Sequence, residues 1–126
     1  MSNKEVVFEI KDLAKTYTIS RGLFKDPQII NAVNKINFEV FHGETYSIVG
    51  ESGCGKSTTA KMLLNIEEPT AGQIFFKGKD ISTFSDEEWK EYRKKVQIIF
   101  QDPYSSLNPR WTVGKIIAEP LLLNTD

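Results

Sequence analysis

Residues 50–57 read Gly-Glu-Ser-Gly-Cys-Gly-Lys-Ser and fit G-x-x-x-x-G-K-[ST] at every fixed position. The motif demands a strand, a tight glycine loop and a helix, in that order. The flanks comply: Thr45–Val49 is a β-rich run, and Ala60, Leu63 and Leu64 have helical spacing. Gly50, Gly53 and Gly55 free the backbone to turn so that successive N–H groups face inward. The helix that follows adds the partial positive charge of its N-terminus. Such a concavity suits an anion with several oxygens. Lys56 supplies a full charge for β- and γ-phosphates, and the Ser57 hydroxyl is a hard oxygen suited to Mg²⁺. Gly50, Gly53, Cys54, Gly55, Lys56, Ser57 and Thr58 form the candidate phosphate-binding set. The position of Cys54 near a helix start favours its thiolate.

Before the loop, Val6, Phe8 and Ile10 alternate with polar or edge positions, which predicts a half-buried strand. Tyr17 to Ile19 extends it or begins a neighbour. Gly22 and Pro27 mark residues 20–28 as a loop. Ile36, Phe38 and Val40 alternate again, and His42-Gly43-Glu44 is a turn. The pattern predicts antiparallel hairpins. Beyond the loop and its helix, the sequence predicts a strand at Gln73–Phe76, then a turn over 77–80. Ser85 and Glu88 make a capping box for another helix, whose basic residues Lys90, Arg93, Lys94 and Lys95 read as a solvated face. Val96–Phe100 reads as a buried strand ending at Gln101-Asp102-Pro103. Thr112 caps a last helix over 113–118, which Pro120 kinks or ends. The whole is an α/β fold: a P-loop NTPase core with an N-terminal antiparallel β subdomain.

Sixteen Lys+Arg against seventeen Asp+Glu leave a net charge of -1, which argues against a nucleic-acid partner. One cysteine excludes an internal disulfide and a multi-cysteine metal site. The first residues are charged, and no apolar run reaches the ~18 residues that span a bilayer. The loop motif alone does not choose among nucleotide-binding classes. A guanine-reading N-K-x-D is missing downstream: Asn34-Lys35-Ile36-Asn37 lies upstream and ends in the wrong residue. A small-molecule kinase usually places its loop after the first strand, whereas 49 residues precede this one.

Four blocks together resemble the ATP-binding subunit of an ABC transporter, in its oligopeptide/dipeptide importer branch. They are Lys15–Phe24, Val49–Thr58, Ile99–Arg110 and Thr112–Leu121. The third, Ile-Phe-Gln-Asp-Pro-Tyr-Ser-Ser-Leu-Asn-Pro-Arg, is the most diagnostic. The resemblance covers essentially residues 5–123. It implies ATP and Mg²⁺ as cofactors, with Lys56 and Gln101 in the catalytic machinery. By position, Tyr17 is similar to the aromatic that stacks on adenine, and Gln101 to a loop glutamine that ligates Mg²⁺ beside Ser57. Asp102 read alone would suit the end of a metal-binding strand; Pro103 and the family pattern favour the glutamine-loop reading. The resemblance also implies docking of Gln101 to Trp111 on transmembrane permease subunits. It implies a second ATP-binding subunit as partner, and a peripheral location on the cytoplasmic face of the membrane. Asn34-Lys35 departs from the family's Asp-Gly, in a turn away from the loop.

The family's signature needs paired glycines, and none of the eight here is adjacent to another. Its Walker B strand, catalytic glutamate and switch histidine are not found either. The chain therefore reads as about the N-terminal half of the nucleotide-binding domain: residues 1–49 mainly antiparallel β, 50–101 the core from phosphate loop to glutamine loop, and 102–126 the start of a helical subdomain. Without a base or donors from a partner, residues 1–126 are expected to bind Mg-nucleotide weakly at best and to turn over negligibly. Another P-loop NTPase or kinase, or a non-catalytic regulatory nucleotide-binding module, are the alternative readings.

Overall fold

The computed structural model describes residues 4–51, 53 and 55–125. Four strands form one antiparallel sheet: β1 (Val6–Ile19), β2 (Gln28–Phe41), β3 (Ala71–Phe76) and β4 (Lys79–Asp80), in the order β2-β1-β3-β4. The predicted hairpin is thus present. Tyr17–Ile19 continues β1 rather than starting a neighbour, and the sheet takes two more strands from beyond the glycine loop. Helix α1 (Lys56–Leu63) follows that loop, and α2 (Asp86–Lys95) starts directly after Ser85. Helix α3 (Val113–Asn124) is capped by Thr112, whose Oγ1 accepts from the Lys115 N–H at 3.3 Å. Short 3₁₀ turns occupy Ile81–Thr83 and Tyr104–Ser106.

A bulge keeps β1 in phase with the core. Ile10 and Leu13 are three residues apart, which in a regular strand would put them on opposite faces. Their β2 partners, Phe38 and Ile36, are only two apart, so β1 carries one extra residue. Asp12 absorbs it at φ 48. Its N–H donates to Asn37 Oδ1 at 2.9 Å, and Asn37 Nδ2 returns a bond to Asp12 Oδ1 at 3.1 Å. Both Ile10 and Leu13 are buried in consequence, with Val33, Met62, Ile74 and Ile81. Gly72 packs on the bulge: a Cβ there would lie 2.3 Å from the Asp12 carbonyl oxygen. Asp80 closes the sheet's far end. Burial pushes its carboxyl up, but bonds from Ser82 and from Gln73 Nε2 outweigh that and hold it below the ordinary value.

Two expected strands are corrected. Thr45–Val49 and Val96–Phe100 run as irregular chain, with Val49 87% and Ile99 91% exposed. A strand exists by its ladder, and among the described residues none pairs with either segment. Short β-rich runs such as Thr-Tyr-Ser-Ile-Val and Val-Gln-Ile-Ile-Phe suit strands inside a parallel sheet, which need neighbours on both edges. Tyr46 is still held, its ring stacked on Phe38 at 4.8 Å. The expected span of the last helix, 113–118, is also corrected: α3 runs through Pro120 to Asn124, so the proline does not end it.

The chain divides into two compact units, residues 1–86 and 87–126. The second holds most of α2 and all of α3. There Trp89 and Tyr92 meet edge to face at 5.4 Å, and burial pushes the Tyr92 phenol up. Lys90, Arg93, Lys94 and Lys95 are exposed, as is His42 in its turn in the first unit.

Candidate nucleotide-binding site

The glycine loop is anchored from below by β2. Gly55 is the N-cap of α1 and sits at φ 90, a left-handed conformation. A Cβ at this position would lie 2.1 Å from the Ala32 carbonyl oxygen and 3.2 Å from Val33 Cγ2. Only a glycine lets the loop rest on the strand. Buried Thr59 locks the first turn: its N–H and its Oγ1 both donate to the Gly55 carbonyl at 2.9 Å. Gly53 is left-handed too, at φ 81, but in open space.

The loop's surface is built to take negative charge. The N–H groups of Lys56, Ser57 and Thr58 lie in the first turn, where no intrahelical carbonyl precedes them. Gly55 supplies no side-chain cap. The Lys56 side chain folds back across the loop, donating from Nζ to the Gly50 carbonyl and, at 2.9 Å, to the Glu51 carbonyl. An anionic oxygen is a stronger acceptor for an ammonium than a carbonyl is. Ser57 is exposed on the first turn of α1. Donors, cation and a hard hydroxyl oxygen therefore occur together, a set that fits a polyphosphate with a divalent cation. Ser52 and Cys54 lie outside the described residues, so the site role expected of Cys54 is not placed.

Tyr17 belongs to the same unit as the loop. Lys15 pairs directly with Val33, so both side chains share the sheet face on which α1 packs. Tyr17, two residues on, has the same facing. It pairs with Ile30, two residues along β2 from Ala32, or about 7 Å. Its ring is half-buried rather than part of the core. In the sequence nothing beside Lys15 marks it out from the rest of the Lys15–Phe24 block. The structure shows its ammonium 5.2 Å from the Tyr17 ring centroid.

Gln101 lies in the second unit, exposed, at a bend before the Tyr104–Ser106 turn. Asp102 is spent locally. Its Oδ1 accepts from the N–H groups of Tyr104 and Ser105 at 3.2 and 3.4 Å, which suits a turn cap rather than a metal ligand. Tyr104 and Leu107 are exposed, and Trp111 is half-buried with the Lys115 ammonium 4.3 Å from its ring centroid. Residues 101–110 are thus exposed, and Trp111 closes the stretch half-buried.

A family model described as "ABC transporter" matches residues 33–120. The di/tripeptide transport ATP-binding protein DppF of Pseudomonas aeruginosa is 47% identical over 121 residues, which are 96% of this chain and 38% of that protein. The oligopeptide transport ATP-binding protein AppF of Bacillus subtilis is likewise 47% identical over 121 residues, covering 94% of this chain and 37% of that one. The chain thus spans little more than a third of the length of these curated relatives. A solved structure described as "Dimeric structure of a post-hydrolysis state of the ATP-binding cassette MJ0796 bound to ADP and Pi" superposes with a TM-score of 0.77 at 28% identity. It covers 94% of this chain and 48% of the other.

Proposed function

The chain belongs to the ABC transporter family, and from that footing we propose that it carries the phosphate-binding part of an ATP-hydrolysing subunit that energises peptide import. The observation that carries this reading is the loop on β2: N–H groups without a side-chain cap at the start of α1, with the Lys56 ammonium held on the carbonyls of Gly50 and Glu51 in the same loop. The relatives' peptide-transport names support the substrate class.

In this reading Gly50, Gly53, Cys54, Gly55 and Thr58 line the phosphates through their backbone. Lys56 exchanges its loop carbonyls for phosphate oxygens, and Tyr17 takes the purine on its ring. Ser57 is the hydroxyl assigned to Mg²⁺, which when bound screens charge on the phosphates. Gln101 keeps the role the resemblance gives it, a metal-ligating amide on a loop that answers to nucleotide state. The Gln101 to Trp111 stretch, exposed over residues 101–110, is assigned to permease subunits, and a second ATP-binding subunit, identical or homologous, to the other side of the nucleotide. No helix among the described residues is long and apolar enough to cross a membrane. The resemblance assigns the subunit a peripheral place on the cytoplasmic face of the membrane.

Calorimetric titration of the full-length protein with Mg-ATP tests the proposal. Lys56→Ala is expected to weaken binding at least about tenfold, because it removes charge-assisted bonds to the phosphates. It should also abolish hydrolysis. Unchanged affinity in Lys56→Ala would overturn the reading.

A further inference from the structure

Lys15 has a side chain only 16% exposed, low for a residue type that is mostly solvated. Its Nζ donates to the Glu68 carbonyl at 2.7 Å and pairs with Glu67 Oε2 at 3.3 Å. It also lies 5.2 Å from the centroid of the Tyr17 ring. The ammonium is thus tied at one end to the turn after α1 and touches at the other an aromatic on its own strand. Holding that turn against β1 does not require Lys15. The Thr70 N–H already donates to the Ala14 carbonyl at 2.8 Å, and the Thr16 N–H to Thr70 Oγ1 at 3.0 Å.

We propose that Lys15 is a positioning residue for the base: anchored on Glu67 and Glu68, its ammonium fixes the Tyr17 ring in the orientation that receives the purine. This rests on the reading of Tyr17 as the base platform. A half-buried tyrosine two residues from the end of its strand still has more than one staggered χ1 well open to it. A cation held against one face of the ring favours one of them, and leaves the opposite face for a base. The ordering is then in place before the nucleotide arrives, so binding does not have to supply it.

The test titrates the full-length protein with Mg-ATP and with inorganic tripolyphosphate, which has no base. Lys15→Met keeps the length of the side chain and removes the charge. It is expected to weaken ATP roughly three- to tenfold and to leave tripolyphosphate unchanged. Lys15→Arg should restore most of the ATP affinity. In a Tyr17→Ala background, Lys15→Met should have no further effect. Equal losses for ATP and tripolyphosphate, or the same loss with and without Tyr17, would overturn the proposal by showing a structural role only. If Tyr17→Ala itself leaves ATP affinity unchanged, the platform reading fails and the proposal falls with it. If Tyr17→Ala weakens ATP while Lys15→Met does not, Lys15 alone is refuted.

Discussion

Gly55 and Gly43 share a left-handed backbone, at φ 90 and φ 75, and differ in what surrounds them. A Cβ on Gly43 would meet nothing within 4 Å, whereas one on Gly55 would drive into the Ala32 carbonyl. The two positions therefore separate backbone strain from packing. Gly43→Ala is expected to cost about 1 kcal/mol by urea denaturation and to leave ATP binding intact. Gly55→Ala adds the clash with β2, for a total of about 2–4 kcal/mol, and lifts the loop off its support, so ATP affinity falls too. Equal costs would mean that β2 does not hold the loop. The motif announced a glycine at position 55 because the loop must turn. It did not announce the second reason, which is the backbone of a strand far away in the chain. The same limit hid Lys15, because its anchors on Glu67 and Glu68 come together only when the sheet and the turn after α1 are assembled.

Elements were legible where their cause is local. The start of α2 after Ser85, the cap at Thr112 and the turn at His42-Gly43 depend on a few adjacent residues, and each lies where the sequence puts it. Thr45–Val49 and Val96–Phe100 depend on neighbours, and their β-rich composition does not make a ladder without them. Of the two effects expected of Pro120, ending the helix does not occur, for a different reason. Proline removes one bond, the one its N–H would give to the Ile116 carbonyl, and the turn beyond it closes by other means. The Thr125 N–H donates to the Leu121 carbonyl at 3.0 Å, and Asn124 Nδ2 donates to the Pro120 carbonyl at 2.7 Å. The missing bond still weakens the helix. Pro120→Ala is expected to stabilise α3 by up to about 3 kcal/mol, read as a higher thermal midpoint by circular dichroism. A lower midpoint would show that the proline's fixed φ contributes more than the bond it removes.

At the scale of the whole molecule, the two units are unequal in what they bury. Residues 1–86 enclose Ile10, Leu13, Val33, Met62, Ile74 and Ile81, while among the described residues of 87–126 only Tyr92 is a buried apolar side chain. Forty residues are about the lower limit for independent folding even with a good core. Here Val113, Ile117, Leu121, Leu122 and Leu123 of α3 all face solvent, Leu122 at 75%. Apolar area of that extent costs free energy until something covers it. Residues 1–126 produced by themselves are therefore expected to associate, with a sedimentation coefficient that rises with concentration and with binding of a hydrophobic dye. Ile117 and Leu121 are four apart and share one side of α3, so Ile117→Asp with Leu121→Asp should suppress both signals by charging that side. In the full-length protein the same pair should lower thermal stability, because a face covered by the rest of the chain would then hold two buried charges. A non-associating, dye-silent chain 1–126 would show that α3 needs no cover. An unaltered midpoint for the full-length variant would show that its cover is not the protein itself.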